Sequence, residues 1–184
     1  MKRLIFLLIG IFIMATACQD DFVEPDDSLK SAKYEKTQTF QIKGWATVNG
    51  DDEAPNITCT PEYLGIEFCS RGWISGHENI LGTIVHDEST YEKLWCVAEI
   101  TPEGPVALNV VWADMLRTNG NRTFGTCYMY INVVTGDIWG YFNYEGGTGR
   151  FEGLTGTTQI LNAKMLPDGG ISWDEEGEIT LVLK

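Results

Sequence analysis

Histidine is scarce in this chain, with two in 184 residues, and no Cys-x-x-Cys pair, Gly-x-Ser-x-Gly elbow or Gly-Lys-Ser/Thr loop occurs. Each absence removes a chemistry. Without paired cysteines or closely spaced histidines there is no tetrahedral zinc set. "HENIL" (77–81) starts like His-Glu-x-x-His, but Leu81 stands where the second histidine is required. With only His77 and His86 to serve as base, no Ser-His-Asp triad is assigned, and no catalytic residue is named. His86-Asp87-Glu88 reads either as three metal donors or as a charged loop beside "ILGTIV"; neither a metal nor a cofactor is expected. Basic side chains are few as well: 13 Lys and Arg stand against 26 Asp and Glu, for a formal net charge of −13. A chain so acidic repels the phosphate backbone, so nucleic acid is excluded as a partner.

Long apolar runs are missing too, with one exception. After Met1-Lys2-Arg3, "LIFLLIGIFIMATA" is apolar from Leu4 to Ala17. Fourteen residues fall short of the roughly 20 that span a bilayer as a helix. A basic start, an apolar stretch and small residues before Cys18 describe a signal peptide over residues 1–17. Ala15-Thr16-Ala17-Cys18 resembles the bacterial lipobox, which implies cleavage between Ala17 and Cys18 and acylation of the Cys18 thiol. Several acyl chains on one residue hold a protein to a membrane stably. Asp20, Asp21, Glu24, Asp26 and Asp27 follow at once, resembling the acidic export signal of surface lipoproteins of the Bacteroidetes. The same composition makes residues 18–36 a solvated linker. The expected address is the outer membrane, lipid-anchored, at the cell surface. Cleavage removes Lys2 and Arg3 and leaves 167 residues with 11 basic and 26 acidic side chains, net −15, enough chain for one domain with its own core.

Cys59, Cys69, Cys96 and Cys127 remain, an even number in an exported chain, with three possible connectivities. On the chain-entropy model, joining Cys59 to Cys69 is worth roughly 3 kcal/mol and joining Cys96 to Cys127 somewhat more. Alternatively, Cys96 in "KLWCVAEI" and Cys127 in "GTCYMYINV" are buried small hydrophobes.

From about Thr37 the apolar period is two. In "TQTFQIKGWATVNG", Phe40, Ile42, Ala46 and Val48 share one face, and Gln41, Lys43, Trp45 and Thr47 the other. "TFGTCYMYINVV", "DIWGYFNYE" and "GEITLVLK" repeat the style, separated by turn sequences such as "TNGNR", "TGD" and "PDGG". "DESTYEKLWCVAEI" and "VVWADMLR" allow a helix but work as strands. This pattern predicts an all-β domain over residues 37–184: an antiparallel barrel of roughly eight strands.

The most distinctive run is "GGTGRFEGLTG", Gly146–Gly156. It fails as a dinucleotide fingerprint, because three residues after Gly149 stands Glu152, with Gly153 one position late. It works as a folding device, with glycine-bearing bends around a short strand Arg150-Phe151-Glu152. "GTGRFEGLTG" (147–156) resembles the "GTGRFAGATG" signature of the allene-oxide-cyclase-like barrels, a calycin-like family related to dirigent proteins and found in many uncharacterised bacterial lipoproteins. "GHENILG" (76–82) and "RTNGNRTF" (117–124) echo two further family motifs in the same order, with Ile80 and Asn121 in place of the family's His and Asp. The resemblance spans roughly Phe40 to Lys184, rests on Gly147, Gly149, Arg150, Phe151, Gly153 and Gly156, and implies a fold. The plant cyclase's catalytic residues do not map onto motifs here, so none is carried over.

An eight-stranded barrel is either filled or holds one small ligand. Trp45, Trp95, Trp112, Tyr128, Tyr130, Trp139 and Tyr141 are candidates for a cavity lining or a sugar-stacking surface, or else ordinary core. Glu67, Glu99 and Asp114 lie in apolar contexts, either as carboxylates raised in pKa inside a cavity or as the polar positions of alternating strands. The expected function is a non-catalytic binding or interaction module for a small hydrophobic or glycan ligand, or for another envelope protein. The alternatives are a cyclase- or isomerase-type barrel enzyme acting on a hydrophobic substrate, or a structural envelope component.

Overall fold

A computed structural model describes residues 36–183; the signal peptide, Cys18 and the linker up to residue 35 lie outside them, and Lys36, the last residue of the expected linker, opens the first strand. Eleven strands follow one another: β1 (Lys36–Gly50), β2 (Asn56–Thr58), β3 (Glu67–Cys69), β4 (Arg71–Glu78), β5 (Gly82–Ile84), β6 (Thr90–Thr101), β7 (Gly104–Leu116), β8 (Arg122–Asn132), β9 (Ile138–Gly147), β10 (Thr155–Met165) and β11 (Ile171–Leu183). Among the described residues there is no α-helix, only three short 3-10 turns. Both debated segments are extended, as β6 and β7.

Eight strands form the ring, in the order β1-β11-β10-β9-β8-β7-β6-β4, and β4 pairs back onto β1 to close it. Every pairing in the ring is antiparallel. β1 makes the closure because it is long: its last seven residues pair with β4 from Gly72 to Glu78 while β11 occupies its other edge. Two glycines let the backbones meet there. A Cβ on Gly72 would lie 2.0 Å from Asn49 O, and one on Gly76 would lie 2.4 Å from Trp45 O. The expected all-β barrel is therefore the fold.

Alternation sorts the faces. Ile42 and Ala46 of β1, Cys127, Met129 and Ile131 of β8 and Phe142 and Tyr144 of β9 are buried in one cluster that fills much of the ring. One bulge changes the sorting. On β6 the register shifts between Lys93 and Trp95, so Tyr91 and Lys93 face inward, whereas Cys96 and Ala98 beyond the bulge are buried and Trp95 is exposed. Cys96 and Ala98 join a second, smaller cluster with Cys59, Ile66 and Ala107.

The glycine run closes one end of the barrel. Gly149–Phe151 is a 3-10 turn rather than the expected short strand, and Phe151 is fully buried. A positive φ explains the difference. Gly149 at φ 58° and Gly153 at φ 77° turn the chain at both sides of Phe151, leaving too few residues for a ladder. Arg150 reaches back to the Ile80 carbonyl at 3.1 Å, tying this turn to the loop after β4.

The four cysteines do not pair with their sequence neighbours. Cys59 is joined to Cys96, a separation of 37 residues, while Cys69 and Cys127 are free thiols. The pairing follows from topology, since the segment after β2 runs beside β6, with Thr60 N–H donating to the Cys96 carbonyl and Ala98 N–H to the Thr60 carbonyl.

Candidate functional site

Within the ring lies a cavity of about 160 Å³. Its wall is mostly apolar, including Ala46, Val111, Ala113, Met129 and Phe142, yet Glu78, Lys93, Asn109 and Glu175 also face it. Among the lining side chains are the small ones of Ala46 on β1 and Ala113 on β7.

Toward the end closed by Phe151, the polar groups are paired. Arg117, one residue past β7, is almost fully buried and grips Glu78 of β4 with both guanidinium nitrogens, Nη2 donating to Oε1 at 3.2 Å and Nη1 making a shorter contact to Oε2. The same guanidinium donates to the Thr123 hydroxyl through Nε at 3.0 Å and Nη2 at 2.7 Å, and to the Gly82 carbonyl at 3.3 Å. Tyr144 donates to Glu78 Oε1 at 2.8 Å. Burial, the largest effect, would weaken the Arg117 charge, but Glu78, Tyr144 and Glu175 together outweigh it and hold the guanidinium above its ordinary pKa. Burial, with the charges of Glu175 and Glu78, pushes the Tyr144 hydroxyl well above its ordinary value.

Glu175 of β11 sits beside this pair. Burial first, and then the Glu78 carboxylate, push its pKa well above the ordinary value, against smaller opposing effects of Arg117 and of a hydrogen bond from the Thr158 hydroxyl at 3.2 Å. The fold thus favours a neutral carboxyl group at this position. Its second oxygen, Oε1, is buried without a hydrogen-bond partner in the protein, as are Trp173 Nε1 and Asn109 Nδ2. All three residues line the cavity. Buried polar atoms are rarely left unpaired, and each such exception calls for a cause.

Across the ring, Lys93 donates from Nζ to Asn109 Oδ1 at 2.7 Å and lies 4.5 Å from the centre of the Phe68 ring. Burial pulls its ammonium down to about 8, with Cys69 opposing. Among the described residues the ion pairs are Lys43–Glu176, Arg71–Asp51, Arg117–Glu78 and Arg122–Asp114; Lys93 belongs to none. The Cys127 thiol, deep in the cavity wall, is pushed up to about 12, chiefly by burial.

The seven aromatic candidates take no part in this lining. Trp45, Trp95 and Trp139 are each more than two-fifths exposed, and Tyr128, Tyr130, Tyr141 and Trp112 are half-buried on the outer face. Five of the seven pack in cross-strand ring pairs: Tyr128 stacks on Tyr141 at 4.8 Å and Tyr130 on Trp139 at 5.6 Å, and Trp112 lies tilted against Phe124 at 5.6 Å. Glu67 and Glu99 are exposed, and Asp114 accepts from Arg122 at 2.8 Å on the outer face. Glu78 and Glu175 are the buried carboxylates instead. Their signal in the sequence is alternation: Trp173, Glu175, Gly177 and Ile179 share one face of β11, and Ile74, Gly76 and Glu78 one face of β4. His77 faces outward to Thr83, at 2.9 Å, and His86 lies in a 3-10 turn. Among the described residues no cluster of three or more His, Cys, Asp or Glu side chains could hold a metal ion.

No family model matches the chain, and no curated protein does. Among solved structures it is similar to a pterocarpan synthase dirigent protein, with a TM-score of 0.45, 10% sequence identity, and coverage of 82% of this chain and 94% of that one. The barrel rests on the strand pairing itself and not on this likeness.

Proposed function

We propose that this chain is an exported, lipid-anchored barrel protein of the allene-oxide-cyclase-like kind, which binds one small hydrophobic ligand inside the ring. One observation carries the binding reading: a mainly apolar cavity of about 160 Å³ with unpaired polar atoms on its wall. A void of about 150 Å³ in an apolar core is known to accept benzene, so the size suits a single-ring guest. The anchor and the cell-surface address rest on residues 1–27, with Cys18 as the acylated residue. Titrating the protein with toluene while recording backbone amide shifts tests the cavity. Saturable shifts at Ala113, Met129 and Phe142 are expected, and a wild-type protein that takes up no probe would sink the reading. Radiolabelled palmitate should enter the wild type but not Cys18→Ala, and a membrane-impermeant reagent should label the protein on intact cells.

A second reading, cyclase- or isomerase-type chemistry on the same guest, is favoured by Glu175, whose carboxyl group lies at the cavity wall with its pKa well above the ordinary value. Product formation from a bound guest, abolished in Glu175→Gln while binding persists, separates it from simple binding.

A further inference from the structure

Resting on the proposal that the barrel holds a small guest, we propose that this guest is a carboxylic acid of single-ring size, bound as its anion by Lys93 and Asn109. The argument is a count of charges and hydrogen-bonding atoms at the wall. Arg117 and Glu78 neutralise one another in a bidentate pair. The fold favours the neutral form of Glu175, so it adds no compensating charge. Lys93 is then a buried cation that no carboxylate within ion-pair distance balances among the described residues. Its single hydrogen bond to a side chain goes to the Asn109 amide oxygen, which turns the Asn109 nitrogen into an unpaired donor beside it. Trp173 adds a second unpaired donor from β11. A buried cation without a counter-charge is costly. A guest that brings one negative charge and two acceptor oxygens satisfies both Lys93 and Asn109, and its ring fits the apolar wall of Val111, Met129 and Phe142.

Charge also governs entry. Gly50, Cys69 and Gly169 line both the cavity and an adjoining polar cleft that carries Asp51, Asp52 and Asp168. Asp51 is paired with Arg71, but Asp52 and Asp168 oppose an approaching anion over a Debye length, so association should speed up as salt is added.

The test uses the full chain with benzoate and toluene as probes, followed by calorimetry and amide shifts. At pH 7 the wild type should bind benzoate at least tenfold more tightly than toluene. Lys93→Met should lose the preference, its benzoate affinity falling at least tenfold relative to its toluene affinity. Should that variant fail to fold, pH decides in Cys69→Ser, which removes the free thiol that faces Lys93, since thiols ionise in the same range: between pH 7 and pH 9.5 the benzoate affinity should fall at least tenfold, because Lys93 loses its charge near pH 8, with toluene unaffected. Toluene binding without a benzoate preference, or a preference indifferent to both Lys93→Met and pH, overturns the inference and leaves the hydrophobic cavity standing. Failure of both probes overturns the cavity reading itself.

Discussion

At Glu175 the residue's environment, not its type, sets its protonation. In the unfolded chain the carboxyl group titrates near the ordinary value of 4.5, whereas in the fold burial and the Glu78 charge raise its pKa well above that. Below pH 4.5 both states hold the proton and the residue imposes no pH-dependent penalty. As the pH rises through 4.5 the unfolded state releases its proton and the folded state does not, so stability falls with increasing pH until the folded-state value is passed. Glu175→Gln holds no titratable proton. The variant should therefore gain stability over the wild type on going from pH 4 to pH 8. Urea midpoints at the two values check this, and a difference that does not change with pH would falsify the raised pKa. No sequence pattern exposes the effect, because the Glu78 charge that raises Glu175 sits on β4, far from β11 in the chain.

Single elements were legible where one face is polar and hidden where both are apolar. β1 alternates Ile42 and Ala46 with Lys43 and Trp45, and its faces follow directly. β8 alternates Cys127, Met129 and Ile131 with Tyr128 and Tyr130, and hydrophobicity does not say which set turns inward. On β8 the slimmer set turns inward to share the ring with Phe142, Tyr144 and Trp173, and its tyrosines stack outside against Tyr141 and Trp139 as cross-strand pairs. The β6 bulge was equally invisible, and it sends Trp95 outward. The glycine run was legible as a bend but not as a plug. Three substitutions test the plug, Trp139→Ala serving as the outer-face control. Phe151→Ala should cost about 3–5 kcal/mol, as for a large aromatic removed from a closed site. Trp139→Ala, on the outer stack, should lose little beyond the pair energy of about 0.5–1.5 kcal/mol. Gly149→Ala should destabilise too, since its φ is 58° and a Cβ would lie 2.0 Å from Asn121 Oδ1. Chemical denaturation of the three variants checks the order, and equal losses for Phe151→Ala and Trp139→Ala would contradict it.

For the whole molecule the decisive property is that a closed ring of eight strands keeps a void rather than collapsing around it. Backbone pairing fixes the ring's girth, so side chains must fill what the ladder encloses, and at Ala46 and Ala113 they do not. Substitution by a larger residue distinguishes a real void from a tightly packed interior. Adding three carbons to a filled core forces strain and costs about 1–3 kcal/mol. Ala113 is buried, faces the cavity, and pairs with Tyr91 on one side and Gly125 on the other. In a cavity of about 160 Å³ the isobutyl group of Ala113→Leu finds space and buries further apolar surface there. Its thermal midpoint should therefore equal or exceed that of the wild type, while toluene uptake disappears because the guest's place is taken. A drop in midpoint with toluene uptake retained would mean that the space near Ala113 is already filled and that any guest lodges elsewhere.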